Sequence, residues 1–212
     1  MKDFGKFWSK DSYERPEGVL GFVDWYKWMY NSRLDINENI IKWVREKDDK
    51  IKSVADFGCG VSIGFSEAFS DKFFTGIDIS KRNIDWCKDN YNNSKHVYMH
   101  KDFAKNPLSD KVDLVICNGT LENVLDINKA IESMVLSSKG WIYAAGCSGW
   151  HPNLRQHKYE WREEWGCNSS LISPSEVELV LKKLNCKKIQ IFPFKRSAKM
   201  YETIIIAKVE GR

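Results

Sequence analysis

Between residues 53 and 64 an apolar run, Ser53–Phe57 (SVADF), passes directly into Gly58-Cys59-Gly60-Val61-Ser62-Ile63-Gly64 and then into a helical pattern. This switch from strand to glycines to helix constrains the chain more than any other segment. A backbone that turns tightly and admits a ligand close to itself needs residues without side chains, and Gly58 and Gly60 supply them. The helix beyond the turn offers unpaired N–H groups at its start. A dinucleotide-binding turn spaces its glycines as G-x-G-x-x-G beneath a pyrophosphate. Here that third position is Ile63 and the glycine comes one residue later, at Gly64. Asp56 stands just before the turn, where a carboxylate repels a pyrophosphate and suits a cationic amino group.

The rest of the chain repeats the alternation. Strands are expected at Phe73–Ile77, His96–His100, Val112–Cys117 and Trp141–Ala145. Helices are expected near Ile63–Phe69, from Ser80 to about Asn90, and from about Asn123 to Leu136. A further helix, Ser173–Lys183, carries Ser173 as its cap, Pro174 at its first position and Glu176 at the third. Lys188–Phe192 and Thr203–Val209 read as two last strands with about ten residues between them, too few for a crossover helix, so they pair antiparallel. The expected fold is α/β: a Rossmann-like, seven-stranded mixed sheet whose last strand is antiparallel, with helices on both faces.

Residues 1–50 have a different texture. Four of the nine tryptophans (Trp8, Trp25, Trp28, Trp43) fall there, Val19–Tyr30 is apolar around most of a helix, and Asp35 and Glu38 are spaced as a capping box. We therefore expect a helical, aromatic-rich segment over 1–50 and the sheet domain over 51–212, the whole forming one compact domain. The 212 residues are 42% hydrophobic and 29% charged, which excludes a disordered chain. No apolar run approaches the roughly 18–20 residues of a membrane span. Met1–Lys6 carries no apolar signal core, so the expected location is cytoplasmic and the six cysteines are expected to be reduced thiols. The net charge of +4 is too mild to require a polyanion, although Leu181–Arg212 holds nine Lys/Arg against two Asp/Glu. No Cys/His spacing suits a metal, and none is expected.

Polar residues recur where each strand ends, the position at which open α/β sheets bind ligands. Asp78 lies 18 residues after Gly60 at the end of the second strand, where an acid accepts hydrogen bonds from ribose hydroxyls. Asp102 after the third strand can accept from an adenine amino group, with Phe103 or Ile79 stacking on the ring. The fourth strand delivers Asn118 and Gly119 to the same edge.

These segments together resemble the class I S-adenosylmethionine-dependent methyltransferases. Asp56-Phe57-Gly58-Cys59-Gly60 is similar to the family's first motif, Asp78 to its ribose-binding acid, and Lys101-Asp102-Phe103 to its adenine segment. Asp113–Cys117 through Leu121-Glu122-Asn123-Val124 is similar to its fourth-strand motif, although Asn123 stands where small-molecule members often have His. The resemblance spans about residues 35–209. It implies S-adenosyl-L-methionine as cofactor, held by Asp56, Gly58, Cys59, Gly60, Gly64, Asp78, Ile79, Asp102, Phe103, Asn118 and Gly119.

For the acceptor, the resemblance argues against several nucleic-acid substrates. Asn118-Gly119-Thr120-Leu121 lacks the Pro-Pro-aromatic signature of amino-adenine methylation, and no Pro-Cys pair is present for cytosine C5 chemistry. The expected partner is a small molecule, anionic or sugar-like, methylated on O or N. Trp8, Tyr26 and Tyr30, with Phe7 and Tyr13 beside them, are expected to form a lid. Trp150, Arg155, Lys195 and Arg196, with Lys199, are expected to line the acceptor side, and His151 or His157 to serve as base. Two rivals stay open. One is an RNA methyltransferase using Lys182, Lys183, Lys187, Lys188 and the 195–199 loop; the other is a non-catalytic S-adenosylmethionine-binding protein. Nucleic acid is disfavoured by the mild charge, no membrane is expected, and the oligomeric state is open between monomer and homodimer.

Overall fold

The computed structural model describes residues 8, 10–15, 18–91, 93–163, 166–197 and 200–210. Phe7 and Lys199 lie outside these residues, and the Tyr13 side chain is likewise not described.

The chain opens with a two-stranded antiparallel hairpin, β1 (Ser12–Arg15) and β2 (Gly18–Gly21). Two helices follow, α1 (Phe22–Ser32) and α2 (Leu34–Arg45). Residues 1–50 are therefore not purely helical. The expected helix from Val19 begins only at Phe22, because residues 18–21 pair with residues 12–15 instead. An apolar run with no polar face carries no period by which to tell the two states apart.

Next come β3 (Ser53–Phe57), α3 (Phe65–Ala68), β4 (Phe73–Asp78), α4 (Lys81–Asn90), β5 (His96–His100) and β6 (Val112–Asn118). They are followed by α5 (Ile127–Ser137), β7 (Ser138–Gly146), the small hairpin β8 (Trp161–Arg162) and β9 (Cys167–Asn168), α6 (Pro174–Lys183), β10 (Lys187–Lys195) and β11 (Tyr201–Lys208). Two starts differ from expectation. The third helix begins at Phe65 because Ser62 and Gly64 both hold positive φ, which a helix excludes. The fifth begins at Ile127, where the Asp126 side chain accepts from the Lys129 N–H and caps it.

Seven strands form one sheet in the order β10-β11-β7-β6-β3-β4-β5. β3 to β7 run parallel, and β11 is reversed between β7 and β10. The expected mixed sheet is thus present, with its reversed strand one place in from the edge. Alternate residues of the central strands face opposite cores. Val54, Leu114, Ile116, Tyr143 and Ile204 pack with Trp25, Ile36, Ile40 and Val44 of α1 and α2. Ala55, Phe57, Val115, Ile142 and Ile205 pack with Ile131 and Met134 of α5 and with Val177 and Leu181 of α6. Strands covered on both faces read as continuous apolar runs, which is why Val112–Cys117 and Ser53–Phe57 stand out in the sequence. The first two helices belong to the same core as the sheet.

The strand directions fix where chemistry can occur. β3, β4, β5 and β6 end at one edge, and β10 ends there too with Lys195; Lys187 and Lys188 lie at the opposite edge. All six cysteines are free thiols. No helix among the described residues is long and apolar enough to cross a membrane.

Candidate active site

A cavity of about 1080 Å³, its open mouth included, lies over the carboxyl ends of β3, β4, β5 and β6. Its floor is the turn after β3. The N–H groups of Gly58 and Cys59 both donate to Ile77 O, at 2.7 and 3.0 Å, which pins the turn to β4. Gly60 and Gly64 hold φ of +55° and +83°, and both are covered by the first helix. A Cβ on residue 60 would stand 2.6 Å from the Tyr26 ring, and one on residue 64 would overlap the Tyr30 ring. The glycines therefore both permit the turn and admit the aromatic cover.

Three acids line the cavity at successive strand ends. Asp78 Oδ2 accepts from Gly60 N at 2.9 Å, while Oδ1 accepts from Ser80 N at 2.7 Å and from Asn83 Nδ2 at 3.2 Å. Burial raises its pKa, and these donors together with His100 oppose that rise without cancelling it. Asp56 is only 3% exposed, and its carboxylate makes no hydrogen bond with any described residue. Burial, then the nearby charge of Asp78, push its pKa up to about 7. Asp102, after β5, is partly exposed and paired with Lys105 at 3.0 Å.

Of the residues expected to hold the cofactor, Asp56, Gly58, Cys59, Gly60, Asp78, Ile79, Asp102, Phe103, Asn118 and Gly119 all face this cavity. Gly64 does not line it and lies beneath Tyr30. Phe103 is also a core residue, its ring 4.9 Å from that of Phe57. Asn118 donates from Nδ2 to Asn37 Oδ1 at 2.7 Å, and its own Oδ1 is buried without a partner among the described residues. An orphan carboxylate and an orphan amide oxygen in one cavity fit a ligand that carries positive charge and N–H donors. The donor set thus suits the sulfonium and amino group of S-adenosylmethionine.

The acceptor-side expectations divide. Trp8, Tyr26 and Tyr30 line the cavity. Ser80 Oγ donates to Trp8 O at 3.2 Å, which ties that residue to the end of β4. Burial raises the Tyr30 phenol pKa, so it stays protonated. The two histidines are not brought to the cavity. His157 has a buried ring whose Nδ1 accepts from Ser173 N at 3.0 Å and whose Nε2 lies 3.2 Å from Asn128 Oδ1. It joins the start of α6 to α5. The His151 Nε2 turns back to Ser148 O at 2.8 Å. Trp150, Arg155 and Lys195 also lie away from the cavity, the last two exposed. The loop after β7 folds back onto β11, with Thr203 Oγ1 donating to Gly149 O at 2.6 Å. Arg196 is engaged by Asp35 at 3.1 Å and Glu202 at 3.0 Å, and it also reaches Ser32 O, so it is not offered to a substrate.

In their place the structure brings in Met29, Arg33, Asn37 and Phe65. Arg33 is the notable addition. Its Nε donates to Glu202 Oε1 at 3.1 Å and its Nη2 pairs with Glu202 Oε2. No local pattern marks it, because its partner lies 169 residues away.

Residues 55–144 match the family described as a methyltransferase domain. This segment is less than half of the chain, and its sheet order is similar to that of class I methyltransferases, whose methyl donor is S-adenosylmethionine. Solved structures share the fold across most of the chain. One is the magnesium protoporphyrin IX methyltransferase of Synechocystis PCC 6803 with bound S-adenosylmethionine: 16% identity, 85% of this chain and 81% of that one, TM-score 0.62. A second is the N-methyltransferase NodS of Bradyrhizobium japonicum WM9 with S-adenosylhomocysteine: 13% identity, 84% and 87%, TM-score 0.61. A third is the 1,6-didemethyltoxoflavin-N1-methyltransferase of Burkholderia thailandensis with its acceptor and S-adenosylhomocysteine: 10% identity, 87% and 85%, TM-score 0.63. At such identities the likeness is one of fold. No curated protein matches the chain in sequence.

Proposed function

We propose that this protein transfers the methyl group of S-adenosylmethionine to a nitrogen or oxygen of a small molecule. The observation that carries the reading is the unpartnered, buried Asp56 carboxylate under an aromatic cover, beside Asp78 and Asp102 at the neighbouring strand ends. Asp102 and Phe103 would hold the adenine end, Asp78 the ribose, and Asp56 with Asn118 the amino group. The bound donor supplies an electrophilic methyl carbon. The chain's part is to orient and desolvate, and orientation alone can contribute roughly 7–11 kcal/mol to a bimolecular step.

Among the described residues no histidine lines the cavity, and Tyr30 is held protonated. A neutral amine needs no base before it attacks, whereas an alcohol does. With Asp56 assigned to the amino group of the donor and so not free to take a proton from the acceptor, this reading favours nitrogen over oxygen as the acceptor atom. Tyr26 and Tyr30 roof the turn, which suits a compact acceptor better than a polymer. Lys187 and Lys188 lie at the sheet edge opposite the cavity, so they form no track leading to it.

The test is turnover with labelled S-adenosylmethionine and a panel of small amines, alcohols and carboxylic acids, with bulk RNA alongside. Formation of S-adenosylhomocysteine with an amine supports the reading. Label appearing only in RNA, or binding of the donor with no transfer to any acceptor, overturns it.

A further inference from the structure

Among the described residues lining the cavity, Arg33 is the one cationic side chain, and it shares the wall with the carboxyl groups of Asp56, Asp78 and Asp102. The residue sits at the junction of α1 and α2, and its side chain is 12% exposed. Two of its three nitrogens are committed to Glu202. Glu202 is itself 1% exposed and also accepts from Arg196 Nη1 at 3.0 Å, so one carboxylate serves two guanidinium groups. Burial works against the Arg33 charge, but Glu202, Cys147 and Glu122 outweigh it and hold the group above its ordinary pKa.

The third nitrogen, Nη1, has no partner among the described residues. It lies directly on Gly119, and a Cβ there would overlap it. Gly119 is held by its N–H donating to Ala145 O at 2.7 Å, so the surface that receives Nη1 is fixed. The neighbouring residue, Asn118, has its amide orientation set by a relay: its Nδ2 donates to Asn37 Oδ1, and Asn37 Nδ2 donates to Tyr30 O at 2.9 Å. Asn118 Oδ1 is left without a donor among the described residues. At the end of β6 the cavity thus holds a permanently charged donor beside an orphan acceptor. A fixed guanidinium nitrogen recognises an oxyanion, and its half-buried setting strengthens the contact.

We propose that Arg33 Nη1 is the counter-ion of a carboxylate bound over Gly119. This rests on the methyl-donor reading above. Two molecules could bring that carboxylate: the amino-acid end of the donor, or the acceptor.

The experiment measures binding of S-adenosylhomocysteine, 5′-methylthioadenosine and benzoate by calorimetry. 5′-Methylthioadenosine keeps the purine, ribose and sulfur and lacks the amino acid. The variant is Arg33→Met combined with Glu202→Gln, which removes both charges together and leaves no buried ion unpaired; Glu202→Gln alone is the control, and thermal melts verify folding. If the donor brings the carboxylate, affinity for S-adenosylhomocysteine falls roughly 10- to 100-fold in the double variant while 5′-methylthioadenosine changes less than about 2-fold. If the acceptor brings it, S-adenosylhomocysteine is unchanged, and benzoate binding to the S-adenosylhomocysteine complex, present in the wild type, is lost. The proposal is overturned if the double variant binds all three ligands as the control does. A wild-type protein that binds neither adenosyl compound brings down the methyl-donor reading itself.

Discussion

Tyr26 and Asn83 meet 2.8 Å apart, the Asn83 amide donating to the phenol oxygen. The same amide nitrogen lies 3.2 Å from Asp78 Oδ1. One buried side chain thus joins the aromatic cover to the acid expected to hold the ribose. Asn83→Ala should weaken S-adenosylhomocysteine binding roughly 5- to 10-fold, about the net worth of one ordinary hydrogen bond. Asp78→Ala should cost about 1–3 kcal/mol of the same affinity. In a calorimetric cycle, Tyr26→Phe should cost less in the Asn83→Ala background than in the wild type. Strict additivity would show that the cover and the acid are not coupled.

The carboxyl group of Asp56 is held near neutrality by burial and by Asp78, with a pKa of about 7 in the folded chain against an ordinary 3.8. A group whose folded pKa is raised favours the folded state while protonated. Its contribution is complete below the ordinary carboxylate range and is lost as pH rises through about 7. A cationic ligand reverses the preference, so binding of S-adenosylmethionine at about pH 6 should release protons. Calorimetry in buffers of different ionisation enthalpy reads this directly. Asp56→Asn should abolish the release and weaken the binding.

His157 is a joint between two helices. His157→Ala should lower stability by about 1–3 kcal/mol, because Ser173 N loses its acceptor. The methyl-transfer rate per folded molecule should stay at the wild-type value. Burial lowers its pKa, with Glu176 and Asp126 opposing. Its contribution to stability is therefore present above the ordinary histidine pKa and lost as pH falls through the lower folded value. A rate that collapses while the melting temperature holds would return His157 to the chemistry.

Gly60→Ala places a methyl group 2.6 Å from the Tyr26 ring at a residue with φ of +55°. The backbone cost is about 1–2 kcal/mol. Because the ring must also move, affinity for S-adenosylhomocysteine should fall together with the melting temperature. A variant that melts lower but binds normally would show that Tyr26 has no part in holding the ligand.

Much of the frame was legible in the sequence because its signals are local. The run into Gly58 and Gly60, the spacing to Asp78, and the doubly buried strands Ser53–Phe57 and Val112–Asn118 each announce themselves within a few residues. The floor of the cavity followed from them. Its walls did not. Arg33 depends on Glu202, and Asn118 on Asn37, pairs set by the packing of α1 and α2 against the far end of the chain. His157 and Arg196 looked chemical because residue type alone cannot reveal that Asn128, Ser173, Asp35 and Glu202 already occupy them. The hairpin at residues 12–21 was hidden by an apolar run without a period.

Glu202 holds Arg33 from one side and Arg196 from the other, and so clasps the beginning of the chain to its end. Trimming or grafting the C-terminal hairpin therefore reaches into the roof of the cavity. A chimera that imports a relative's last two strands must import the matching helix junction with them, since the two regions can be exchanged only as a pair.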